Sequence, residues 1–159
     1  MLVPMACSFT GHRQIDPSHS WLPDLLDRAI AYAYAEGCRD FYLGGALGFD
    51  TLAARRTLAF RTTHRDVRVN LVLPCFNQDE GWSEVDRAIY SAIISEADSV
   101  EYVSAEYKRG CMQKRNRRLI ALSDIVIAYV GRERSGSSQT VRLAREAGKR
   151  VYNLYFGDK

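Results

Sequence analysis

Residues 40–63 read DFYLGGALGFDTLAARRTLAFRTT. Asp40–Leu43 is a short strand-forming run, and it passes straight into a turn with three glycines, Gly44, Gly45 and Gly48. The segment from Thr51 to Thr63 then has helix-forming composition. A strand that enters a helix through a glycine turn is the first half of a βαβ unit.

The same order recurs on both sides. Upstream, residues 3–9 (VPMACSF) form a strand, then comes the polar loop TGHRQIDPSHS, then a helix over 21–36 that stops at Gly37. In that helix Trp21, Leu25, Ile30 and Tyr34 are the expected inward positions. Downstream, VRVNLVL (67–73) is a strand closed by Pro74. A helix over 83–97 follows, with Ser83 as N-cap and Val85, Ile89, Ala92 and Ile93 at helical spacing. SVEYV (99–103) is a short strand, and the basic loop after it merges into a helix ending near Leu122. IVIAYV (125–130) is the most apolar strand; TVRLAREAG (140–148) is a helix, and residues 150–156 are the last strand. Near-continuous apolar strands alternating with helices indicate an α/β, Rossmann-like fold. Its sheet is mostly parallel, with helices on both faces. Residues 1–159 are expected to form a single domain.

Composition narrows the function classes. A hydrophobic content of 47% excludes a disordered chain. A net charge of +3 suits an anionic small ligand but is too weak to call for nucleic acid. Cys7, Cys38, Cys75 and Cys111 are widely spaced with no CxxC pair, so no metal site is expected. No secretory leader or membrane-length apolar window is present, which points to a soluble cytoplasmic protein.

In open parallel sheets ligands bind beyond the carboxyl ends of the strands, so the loops there carry the chemistry. Gly11 permits a tight turn and Arg13 offers a planar fork for phosphate. Gly44, Gly45 and Gly48 let backbone approach a ligand ahead of a helix N-terminus. Asp50 suits either a helix cap or an acceptor for a ribose hydroxyl. After the third strand, Gln78 and Trp82 suit hydrogen bonding and stacking to a base, or Trp82 pins the core. Residues 108–118 carry six cations, among which Arg115-Asn116 suits a phosphate clamp. Gly136, Ser137, Ser138 and Thr140 offer backbone N–H groups and hydroxyls at a helix start. Asp50, Asp79 and Glu80 are the carboxylates available for catalysis.

The ordered set CSFTGHR, GGALGFDTLAA, LPCFNQDEGW, KRNRRLIALSDIVIAYV and SGSSQTVRLA resembles the YpsA-like (DUF1273) branch of the SLOG superfamily. That superfamily also holds the LOG phosphoribohydrolases and the DprA-like proteins. The resemblance implies a Rossmann-like sheet that binds nucleotides or nucleotide-derived ligands, with the loop residues above as ligand contacts, and often an oligomer. Two departures stand out. The usual Gly-Gly-Thr of the last turn reads Gly136-Ser137-Ser138, and Val141 stands where LOG enzymes keep a catalytic glutamate.

The sequence therefore favours a sensor or regulator that binds an NAD- or ADP-ribose-type ligand. The alternatives are a nucleotide N-glycosidic or phosphoester hydrolase and a single-stranded nucleic-acid binder. A homodimer is expected, with Tyr32, Tyr34 or Tyr155 as markers of a partner face.

Overall fold

The computed structural model describes residues 5–157; residues 3 and 4 of the expected first strand lie outside them. Six strands and five helices alternate: β1 (Met5–Gly11), α1 (Leu22–Ala35), β2 (Cys38–Leu43), α2 (Phe49–Thr63), β3 (Arg68–Leu73), α3 (Glu84–Glu96), β4 (Ser99–Tyr102), α4 (Cys111–Leu122), β5 (Ile125–Tyr129), α5 (Gly136–Glu146) and β6 (Arg150–Asn153). The strands form one sheet in the order β4-β3-β2-β1-β5-β6, and every pairing is parallel. The expected Rossmann-like α/β fold is present, with a wholly rather than mostly parallel sheet.

Crossovers in parallel sheets are right-handed, so the direction of travel decides which face each helix covers. From β1 the chain steps one way to β4, which sets α1, α2 and α3 on one face. It then returns past β1 to β5 and β6, which sets α4 and α5 on the other. Strand side chains alternate accordingly. Cys7, Phe9, Phe41, Leu43, Leu71, Ile125, Ile127 and Tyr129 join the main core under α1–α3. Val126 packs with Ile120 and Ala144, and Ala128 and Val130 pack with Val141, in two small clusters on the other face. That second face is thinner and more polar: buried Ser8 donates from Oγ to Ser123 Oγ at 2.9 Å.

Helix phase differs from expectation in two places. In α1 the buried positions are Leu22, Leu26, Ile30 and Ala33, while Trp21, Leu25 and Tyr34 flank the core as half-buried residues. In α3 they are Tyr90 and Ile93, and Val85 is 70% exposed. Ile93 is one of the expected positions, whereas Tyr90 is buried from a position that the apolar spacing passes over. Ser83 does cap α3, accepting from Asp86 N at 3.1 Å. Of the three marker tyrosines only Tyr32 is exposed. Tyr34 donates to Asp66 and lies under Arg39. Tyr155 packs on His19 and Tyr129. All four cysteines are buried thiols. No helix among the described residues is long and apolar enough to cross a membrane.

Candidate functional site

The strand order reverses between β1 and β5, which pair through Thr10↔Ala128 and Gly11↔Tyr129. Beyond these residues the two chains part, one towards α1 and the other towards α5. A crevice at such a switch point is the expected ligand position in an open α/β sheet. A cleft of about 410 Å³ lies there, lined by the loop after β1, Asp50, Arg115 and the start of α5.

α5 begins at Gly136, four residues earlier than its apolar pattern suggests, so the expected Gly136–Thr140 turn is the first turn of the helix itself. Ser135 is the N-cap. Its Oγ accepts from Ser138 N at 3.1 Å, and Ser138 Oγ accepts from Ser135 N at 2.8 Å. This capping box consumes the Ser138 hydroxyl. Thr140 is buried and donates to Gly136 O, and Ser137 Oγ donates to Gly11 O at 2.7 Å. Helix geometry leaves the Gly136 and Ser137 N–H groups without intrahelical acceptors, at the positive end of the helix dipole. A Cβ at Gly136 would meet nothing within 4 Å among the described residues, so there is open space at this turn. Ser135→Ala should lower stability by about 1 kcal/mol, the usual worth of a cap, as read from urea unfolding.

Close packing at the glycine turn accounts for its glycines. Gly48 is the N-cap of α2 at φ +80, and a Cβ there would stand 2.1 Å from the Arg13 carbonyl oxygen. A Cβ at Gly44 would stand 2.7 Å from Arg115 Nη1. A Cβ at Gly45 would strike Leu73 and one at Gly11 would strike Phe49. These glycines let backbone and buried side chains close around the cleft, while Ala46 and Asp50 line it. Asp50 does not cap α2. Its Oδ2 reaches back to accept from Ala46 N at 3.2 Å.

Asp50 and Arg115 are both only 6% exposed. Arg115 Nη1 donates to Gly44 O, and Nε donates to Asn116 Oδ1 at 2.8 Å. Burial pulls its pKa down, and the nearby Asp50 charge opposes that. Yet among the described residues no carboxylate makes an ion pair with it. Asp50 Oδ1 has no hydrogen-bond partner among the described residues. Burial raises the Asp50 carboxyl to about 6, against the lowering effects of Arg115, the Ala46 N–H and Arg13. Arg13 itself is exposed at the mouth of the cleft.

The remaining expected residues fall outside this cleft. Gln78, Trp82 and Glu80 line an adjoining compartment that shares Arg13 and Met112 with it. Asp79 pairs with Arg87 at 3.3 Å. Val141 is buried against the sheet with Ala128 and Val130. Of the three candidate carboxylates, only Asp50 lines the cleft. His12 was not singled out in the sequence. Its Nε2 accepts from Gly131 N at 2.8 Å, tying the loop after β5 to the loop after β1 across the switch point. The signal for it was its place directly after a buried strand, beside Gly11 and Arg13.

Known proteins are similar to this chain in sequence and in fold. The UPF0398 protein of Bacillus thuringiensis (strain Al Hakam) is 26% identical over 144 residues, which cover 88% of this chain and 78% of that protein. The structure of DNA processing protein A from Helicobacter pylori, which binds single-stranded DNA, superposes with a TM-score of 0.65 at 26% identity. That match covers 93% of this chain but 64% of the other. DNA processing protein A from Streptococcus pneumoniae gives a TM-score of 0.68 at 18% identity, covering 94% of this chain and 50% of the other, a likeness of fold alone. The family model for the YspA SLOG family (YpsA) matches residues 8–156, so the chain belongs to that family.

Proposed function

We propose that the chain binds a nucleotide-derived ligand of the NAD or ADP-ribose type, holding its phosphates in the cleft between β1 and β5, and acts as a sensor. One observation carries this reading: Arg115 is a buried guanidinium with no ion-pair partner among the described residues, lining a cleft with the open first turn of α5. A buried charge is costly until an opposite charge meets it, and a phosphate supplies that charge in a shape that fits the guanidinium fork. The unpaired N–H groups of Gly136 and Ser137 favour the same ligand.

A sensing role is supported by the chemistry within reach. Glycoside hydrolases commonly use paired carboxylates, whereas among the described residues Asp50 is the one carboxylate lining this cleft, and it is fixed to the Ala46 N–H. His12 Nε2 is occupied by the Gly131 N–H. Calorimetry with ADP-ribose, NAD and adenosine tests the reading. Saturable binding is expected of the first two and much weaker binding of adenosine. Equal affinity for adenosine and ADP-ribose would overturn the phosphate assignment. Release of free base or ribose 5-phosphate on incubation would replace sensing with hydrolysis.

A second reading, single-stranded nucleic-acid binding, is favoured by the likeness to the Helicobacter pylori protein. It predicts affinity for oligonucleotides that falls steeply with salt. In α4, however, Arg118 is already paired with Glu101 at 2.9 Å and Arg115 points inward, so that basic run presents fewer open cations than its sequence suggests.

A further inference from the structure

Past Arg13 and Met112 the cleft continues into a second compartment of about 500 Å³. Its walls are aromatic and its edges polar. Trp82 is half-buried and held edge-on against Tyr90, with ring centroids 5.1 Å apart. Tyr107, in the loop between β4 and α4, is 64% exposed. Gln78 is buried at the edge. Its Nε2 donates to Tyr90 OH at 3.1 Å and lies 3.4 Å from Gly45 O, while Oε1 receives no hydrogen bond from the described residues. Glu80 adds a carboxylate that accepts from Asn77 at 2.9 Å. An amide oxygen buried without a donor is rare in a finished interior. Exposed aromatic rings beside a polar edge are suited to stacking on a planar heterocycle.

We infer that this compartment takes the purine base of the ligand, stacked between Trp82 and Tyr107, with its exocyclic amine facing the acceptors of Gln78 and Glu80. The inference rests on the reading of the first cleft as the phosphate site. The two compartments join at Arg13, so one molecule with phosphates at one end and a base at the other spans both. Acceptors on the base edge select adenine, which carries an amine at C6, over hypoxanthine, which carries an oxygen there.

The test is calorimetry of wild type and Tyr107→Ala with ribose 5-phosphate, AMP and IMP. In wild type AMP should bind about 10-fold or more tighter than ribose 5-phosphate, as expected for one stacked base, and tighter than IMP. In Tyr107→Ala the ratio of AMP to ribose 5-phosphate affinity should fall at least about 5-fold. A Trp21→Phe variant leaves Trp82 as the one tryptophan; its emission should change with AMP and not with ribose 5-phosphate. Equal affinity for AMP and ribose 5-phosphate would overturn the base compartment and leave the phosphate cleft standing. Failure of all three ligands to bind would overturn both.

Discussion

Replacing Arg115 with methionine should raise the dissociation constant for ADP-ribose by about 100-fold or more, with little change in thermal stability. The size follows from the loss of two charge-assisted hydrogen bonds, each worth about 1.5–3 kcal/mol. The unchanged stability follows from burial. Arg115 is a desolvated cation, and exchanging such a group for an apolar one of similar length is often neutral or better. The exchange leaves Gly44 O and Asn116 Oδ1 without their donor, which offsets part of the gain. Arg115→Lys keeps the charge but not the fork. A lysine ammonium cannot reproduce the paired geometry at Gly44 O and a phosphate together, so an intermediate loss of about 10-fold is expected. Calorimetry gives the affinities and a thermal melt the stability. Wild-type affinity in the methionine variant would remove Arg115 from the site and with it the main support for the phosphate cleft.

Why Arg115 alone of six cations turns inward was legible, but only at helical spacing. Cys111, Arg115 and Leu119 fall at i, i+4 and i+8, and all three are buried on one stripe of α4. A run read as a charged loop conceals that stripe; a run read as a helix from Cys111 reveals it. The sheet was the easier part. IVIAY in β5 is buried on both faces, so it is apolar without interruption, and the parallel α/β architecture follows from strands of that kind.

Three features were not open to sequence reasoning, because they depend on contacts between distant segments. Gly48 is a glycine because the Arg13 carbonyl lies against it, 35 positions upstream. Gly44 is a glycine because Arg115 lies against it from a helix beyond β4. A motif that reads as a phosphate cradle thus also packs against the residues that line the cleft. Asp50 shows the same limit. Its place at a helix start suggests a cap, yet the chain enters α2 through Gly48 at a positive φ, and Ala46 N, not a helix N–H, meets the carboxylate. α5 was misplaced for a local reason. SGSS is a poor helix interior on propensity, but a capping box starts the helix there all the same.

Asp50→Asn should be more stable than wild type at pH 7.5 by up to about 3 kcal/mol, and the difference should close near pH 4. In the unfolded chain this carboxyl titrates near 3.8, and in the fold near 6. Below 3.8 both states hold the proton, and the favourable contribution to stability is fully present. Between the two values the fold keeps a proton that the unfolded chain has released, so stability falls as pH rises. Above 6 both are ionised and the contribution is gone. Two pH units at about 1.4 kcal/mol each set the ceiling. Asparagine never ionises, so its variant is spared the decline while still accepting from Ala46 N. Asp40 and Glu36 have lowered pKa values through Arg68 and Arg150, and their contributions run the opposite way at lower pH. The difference between variant and wild type, from urea unfolding across pH 4–8, isolates Asp50. In the proposed phosphate site the same carboxyl couples to the ligand. A pyrophosphate diester stays ionised over this range, and its charge beside Asp50 raises the carboxyl further. Binding therefore takes up part of a proton above pH 6, and affinity for ADP-ribose should fall as pH rises from 6 to 8. Calorimetry in two buffers of different ionisation enthalpy measures that uptake. Its absence in wild type, with binding intact, would place the ligand's phosphates away from Asp50; its loss in Asp50→Asn would place them beside it.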